Sequence, residues 1–141
     1  PESVLLKKGK LTDEEYQAVQ QHPEIGARIL RDIPQMSDIL GGVLSHHERF
    51  DGGGYPHGLA QEDIPLVARI IAIADTFDAM SSSRTYRKAM TRKSVLDEMK
   101  RSTPGQFDPE LAEVFFNLDF SMWEELMIEH QSSQTNERRA A

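Results

Sequence analysis

His46 and His47 stand side by side and lead directly into Glu48-Arg49-Phe50-Asp51-Gly52-Gly53-Gly54-Tyr55-Pro56. Imidazole is the commonest metal-ligating side chain, and glycines let a loop backbone pass close to a ligand. Farther on, Asp75 and Asp78 sit in an apolar run from Leu66 to Met80 whose only other charge is Arg69. A carboxylate flanked by Ile71, Ala72, Ile73, Ala74 and Phe77 is costly to bury alone, so Asp75 is expected to have a cation or a hydrogen-bond partner. Together these residues read as a metal site with a substrate-binding lip.

The local pattern leaves alternatives open. Successive helical residues are about 100° apart around the axis, so His46 and His47 either reach two neighbouring ions or divide into one ligand and one brace. Asp78 shares a face with Asp75 and is either a second site carboxylate or half of a salt bridge to a nearby arginine. His22, before Pro23 at a helix break, carries little local signal, and His57 and His130 read as solvated. Arg84, Arg87 and Lys88 form a basic patch just past the Asp75 helix. The guanidinium fork suits phosphate oxygens, the plain alternative being a solvated loop. Tyr55 offers a ring to stack on a base and a hydroxyl to donate.

Composition narrows the chemistry. The chain has no cysteine, which excludes disulfides and thiolate sites and leaves histidine and carboxylate ligands, suited to iron, manganese or magnesium rather than structural zinc. A net charge of −7 argues against DNA as a partner, because a nucleic-acid binder needs a basic face. No apolar run approaches the roughly 18 residues of a membrane span, and no secretory signal is visible, so no membrane contact and a cytoplasmic location are expected. At 141 residues the chain is one domain's worth, with a single core.

Several helices must position these groups. Thr12-Asp13-Glu14-Glu15 is a capping box opening a helix with Tyr16 and Val19. Pro23 suits the first turn of the next, through Ile25, Ile29 and Leu30, which Pro34 closes. Ile39, Leu40, Val43 and Leu44 form a third apolar stripe, extended by His46 and His47. Residues 48–64 form a loop with four of the nine glycines, so this segment can approach a ligand most closely. Asp63 is expected to cap, and Pro65 to start, a long buried helix to about Met80. Thr91 caps another through Val95, Leu96 and Met99, and Asp108-Pro109 starts a last one through Leu111, Val114 and Phe115, extending toward Met127. Residues 129–141 are a polar tail, expected to be disordered. No strand pattern or internal repeat is visible. The fold class expected is all-α.

In order along the chain, these residues resemble the HD-GYP family of phosphohydrolases. The match runs through Lys8-Gly9-Lys10-Leu11-Thr12, His22-Pro23 with Gly26, His46-His47-Glu48-Arg49-Phe50-Asp51-Gly52, Gly54-Tyr55-Pro56 and Gly58-Leu59. It continues through Ile73-Ala74-Asp75-Thr76-Phe77-Asp78-Ala79-Met80, Arg84, Tyr86-Arg87-Lys88-Ala89 and Phe107-Asp108-Pro109. The resemblance implies an HD-type helical bundle over residues 1–128 and a metal-dependent phosphodiesterase that opens cyclic di-GMP to pGpG and on to GMP in bacterial signalling. It implies His22, His46, His47 and Asp75 as metal ligands, and Tyr55, Arg84, Arg87 and Asp78 as groups on the substrate side. Two or three divalent ions, iron or manganese, are the implied cofactors, and no side chain is assigned as nucleophile. Paired ions about 3.5–4 Å apart activate water at neutral pH and stabilise both attacking and leaving oxygens in phosphodiester cleavage.

Two departures qualify that expectation. No His-Asp dipeptide occurs in the chain, and the family's His-Asp segment would fall just before Pro1. The chain is therefore expected to be the C-terminal part of a longer catalytic domain, inactive by itself and prone to pair as a homodimer. Ser83 and Thr85 also stand around Arg84 where the family more often has Asp and Pro, which loosens that loop. The alternative of a different class is a non-catalytic module that docks a diguanylate cyclase domain through the Gly-Tyr-Pro loop. A third reading is a phosphohydrolase for another cyclic dinucleotide, such as a cyclic GMP-AMP hybrid.

Overall fold

A computed structural model describes Val4, Lys7 and residues 9–82, 90–103 and 105–122. Among these residues every regular element is helical, in agreement with the all-α expectation. Arg84, Arg87, Lys88, His130 and the tail 129–141 lie outside the described residues.

Helix α1 spans Asp13–Gln20 and opens with the expected capping box: Glu15 N–H donates to the Thr12 hydroxyl while Thr12 N–H donates to the Glu15 carboxylate at 2.7 Å. Helix α2, His22–Leu30, follows after one residue with Pro23 in its first turn, where a missing N–H costs nothing. Pro34 does end that path, but the next segment is a 3₁₀ helix, Pro34–Ile39, before α3 occupies only Leu40–Ser45. The apolar stripe therefore does not carry His46 and His47 within a helix. His46 is the C-cap and His47 lies in the following turn, closed by Glu48 N–H on the Ser45 carbonyl.

Helix α4, Leu66–Ser81, is the longest described element. Its expected cap at Asp63 is not made. Asp63 ends a 3₁₀ turn, Gln61–Asp63, and Pro65 takes the threshold position. Where α3 crosses α4, a side chain at Gly42 would sit 3.0 Å from Ile71 and 3.1 Å from Val67. Glycine there lets the two helices approach closely, and this brings the end of α3 with its two histidines down beside α4. Helix α5, Arg92–Ser102, begins at Thr91, whose hydroxyl accepts from Ser94 N–H. Helix α6, Pro109–Phe116, begins at Asp108, which accepts from the Glu110 and Leu111 amides. It stops at Phe116 instead of running toward Met127, because Asn117 leaves the helical path and donates its side-chain amide to the Glu113 carbonyl.

The core lies between α4, α5 and α6. Ile73, Phe77, Val95, Met99, Phe107 and Ala112 are its buried members, and Phe115 and Phe120 pack on Phe77 at ring separations of 5.4 and 5.3 Å. Below α4, Arg69 donates to Asp108 at 2.6 Å, so a largely buried ion pair ties α4 to the start of α6. The expectation that α4 is buried on nearly all sides is corrected. Ala68, Ile73 and Phe77 are buried, but Leu66 is 54% and Ile70 50% exposed, because α3, α5 and α6 cover only one side of it.

Candidate metal centre

Three histidines meet where α2, the end of α3 and the turn after it come together. A ligating atom from each of His22, His46 and His47 falls within 4.8 Å of the others. Their ring centroids are 4.2–5.2 Å apart. The sequence separates His22 from the pair by more than twenty residues, and the packing of α2 on α3 closes that distance.

Hydrogen bonds fix which nitrogens are available. His22 Nδ1 lies 2.7 Å from the Val19 carbonyl and His46 Nδ1 lies 2.8 Å from the Val43 carbonyl. A carbonyl only accepts, so each Nδ1 carries the proton and each neutral ring presents its Nε2 lone pair. Those two Nε2 atoms face each other at 3.2 Å. Two lone pairs at that distance repel unless a cation or proton lies between them. Two imidazole nitrogens, each about 2.1 Å from one ion and roughly 100° apart around it, are separated by about 3.2 Å. The donor set and its spacing thus fit a divalent metal, with the backbone carbonyls bracing the ligands from behind.

Electrostatics push the third ring the same way. Burial, then His46 and His22, hold the His47 pKa down to about 4, against a smaller opposing pull from Asp75. His47 is therefore neutral at neutral pH and has no proton to shed before ligating.

The HD domain family matches residues 1–111. The chain belongs to the HD domain family. A cyclic di-GMP phosphodiesterase of Pseudomonas aeruginosa is 46% identical over 116 residues, covering 82% of this chain and 28% of the relative. The cyclic di-GMP phosphodiesterase response regulator RpfG of Xanthomonas campestris pv. campestris is 45% identical over 111 residues, covering 77% of this chain and 29% of the relative. Among solved structures, a cyclic GMP-AMP-specific phosphodiesterase of Vibrio cholerae superposes with a TM-score of 0.59 at 26% identity, over 74% of this chain and 24% of that one. This HD domain thus spans under a third of the length of each of these proteins.

The other expected site residues fall around the trio in different ways. Tyr55 stacks on His47, centroids 4.9 Å apart and planes at 28°. Burial first, then Tyr16 and Asp75, push its pKa up to about 12, so the phenol stays a donor at neutral pH. Asp75 does not have the buried setting its neighbours suggested. It is exposed, because its face of α4 turns away from the core that buries Ile73 and Phe77. It acts electrostatically on both His47 and Tyr55 but stands outside the converging trio. Asp78 is also exposed and accepts from the Ser82 hydroxyl at 3.2 Å. Arg84 and Arg87 lie outside the described residues.

Three contributors are not among the site residues expected from the sequence. Tyr16 of α1 meets Tyr55 edge-on at 6.5 Å, across a long separation in the chain. Glu48 is buried and accepts from the His57 and Leu59 amides. Asp51, held by Arg49 and the Gly53 amide, has a pKa lowered to about 2 by those bonds. A side chain at Gly54 would lie 2.3 Å from Arg49 N and 2.4 Å from Glu48 Cα. Only glycine lets the loop fold back so tightly on the residues after the histidines.

Proposed function

We propose that this HD domain is the metal-holding part of a phosphodiesterase for cyclic dinucleotides, cyclic di-GMP above all. The facing Nε2 atoms of His22 and His46, at 3.2 Å with both Nδ1 atoms committed to carbonyls, carry this reading. His22, His46 and His47 would hold iron or manganese, with Asp75 reaching the same ions from α4. Metal ions bound there supply Lewis-acid activation of water and charge neutralisation at the phosphodiester. The chain's own residues then orient the substrate. Tyr55 lies flat on His47 with its hydroxyl protonated, placed to stack on a base or donate to a phosphate oxygen. Tyr16 closes the same lip from the side. Arg84 and Arg87 follow α4 in sequence, and their guanidinium groups would offset the charge of a phosphate that a protein of net charge −7 otherwise repels.

The names of the relatives support this substrate class and divide it. Two act on cyclic di-GMP by name and the solved structure on cyclic GMP-AMP, so both are candidate substrates. A docking module for a diguanylate cyclase domain has no use for three converging imidazoles. Metal analysis of the intact protein, with turnover of both dinucleotides in competition, tests the proposal. Bound iron or manganese, lost together with turnover in His47→Ala, is expected. A correctly folded protein that binds neither metal would return the loop to a docking role.

A further inference from the structure

Glu48 directly follows the two histidines, yet neither of its oxygens faces them. It is 3% exposed. One oxygen accepts from His57 N–H at 2.7 Å and the other from Leu59 N–H at 3.0 Å. Both oxygens thus accept from the stretch of loop that leaves Tyr55-Pro56. On the other side, Tyr55 N–H donates to the His47 carbonyl at 3.2 Å, and Gly54 folds against the backbone of Glu48 and Arg49. Tyr55 is therefore bracketed: its own amide is tied to His47, and the segment after it is tied to the residue next to His47. A buried carboxylate is costly unless compensated, and the two charge-assisted bonds from the His57 and Leu59 amides provide that compensation.

We infer that Glu48 is a positioning residue: it holds Tyr55 against His47 and so presents the phenol to the substrate at the metal centre. The inference deepens the phosphodiesterase reading and rests on it for the substrate. The chemistry calls for a carboxylate, because two convergent N–H donors need two acceptor oxygens. Glutamine keeps the shape but turns an amide NH₂ toward one of them, donor facing donor. His22 and His46 are braced independently by the Val19 and Val43 carbonyls, so a change at Glu48 reaches Tyr55 before it reaches those two ligands.

Glu48→Gln in the intact protein, loaded with diamagnetic magnesium for the spectroscopy and with manganese for the kinetics, tests this in two ways. By NMR, the His57 and Leu59 amides should exchange about tenfold faster or more, while the Val95 and Met99 amides stay protected, and the ring-current shift between Tyr55 and His47 should shrink. In kinetics with cyclic di-GMP, KM should rise about fivefold to tenfold with kcat within about twofold and metal content unchanged. In a Tyr55→Ala background the same substitution should add almost nothing, because it acts through Tyr55. Additive effects, lost metal, or unchanged amide exchange would overturn the assignment. Should the Gln variant not fold, Glu48→Asp, which keeps the charge but shortens the reach, serves the same comparison. If the wild-type protein turns over no cyclic dinucleotide, the phosphodiesterase reading fails, while the NMR arm still decides whether Glu48 sets Tyr55.

Discussion

At the scale of single residues, the site depends on which proton each imidazole carries. Committing His22 and His46 Nδ1 to backbone carbonyls leaves two lone pairs aimed at each other, an arrangement that is repulsive alone and favourable around a cation. His46→Ala should therefore lower metal content severalfold while the helices remain, checked by atomic emission and far-ultraviolet circular dichroism. His47 makes a separate, pH-dependent contribution. Its folded pKa of about 4 lies below the unfolded value of roughly 6.5, so between these values the unfolded chain binds more protons. Stability from this group is complete above about pH 6.5 and is lost as pH falls toward 4. With the ring half open to solvent, the contribution is discounted to about 1–2 kcal/mol. Thermal melts of metal-free protein should fall across that window, and His47→Gln should flatten the slope. A wild-type melt that is level from pH 6.5 to 5 would contradict the assignment.

At the scale of elements, two features of the loop and its support are open to test. Arg69 and Asp108 join α4 to α6 in a largely buried pair, and Asp108 also caps α6. Asp108→Ala leaves a buried guanidinium without its partner and a helix without its cap, and should cost about 3–5 kcal/mol. Chemical denaturation would measure it. Gly54→Ala should disturb Tyr55 and weaken dinucleotide binding about tenfold or more with little loss of metal, since the added carbon meets backbone at 2.3 Å. Much of this level was legible in the sequence. The caps at Thr12, Thr91 and Asp108 and the proline starts mark helix ends by local chemistry. The misreadings came where tertiary packing decides. Apolar neighbours alone placed Asp75 in the core, but only the docking of α3, α5 and α6 settles which side of α4 is covered. Periodicity continued α3 through His46 and His47, whereas the turn closed by Glu48 N–H ends it first. Tyr16 and Glu48 act at a distance or through backbone amides, and neither leaves a pattern in spacing.

At the scale of the whole molecule, the proposed site would couple metal binding to folding. His22 arrives on α2 while His46 and His47 arrive at the end of α3, so the ligand set exists only when the two pack together. A metal that binds the folded chain alone stabilises it by about 2.7 kcal/mol at a hundred times its Kd. Melting temperature should accordingly rise by several degrees with manganese and fall back on chelation. Under the proposed function, the acidic balance of the chain, −7 overall, leaves metal to offset the charge of an anionic substrate, so substrate binding should weaken when metal is removed. The most direct test of the account is product analysis. The intact protein, loaded with manganese or iron, is incubated with cyclic di-GMP beside its His46→Ala variant, and pGpG and GMP are quantified. Metal-dependent appearance of these products with the wild-type protein, reduced at least a hundredfold in the variant, is the predicted result. Equal hydrolysis by the two proteins, or none by a metal-replete wild type, would contradict the claim that these histidines hold a catalytic metal.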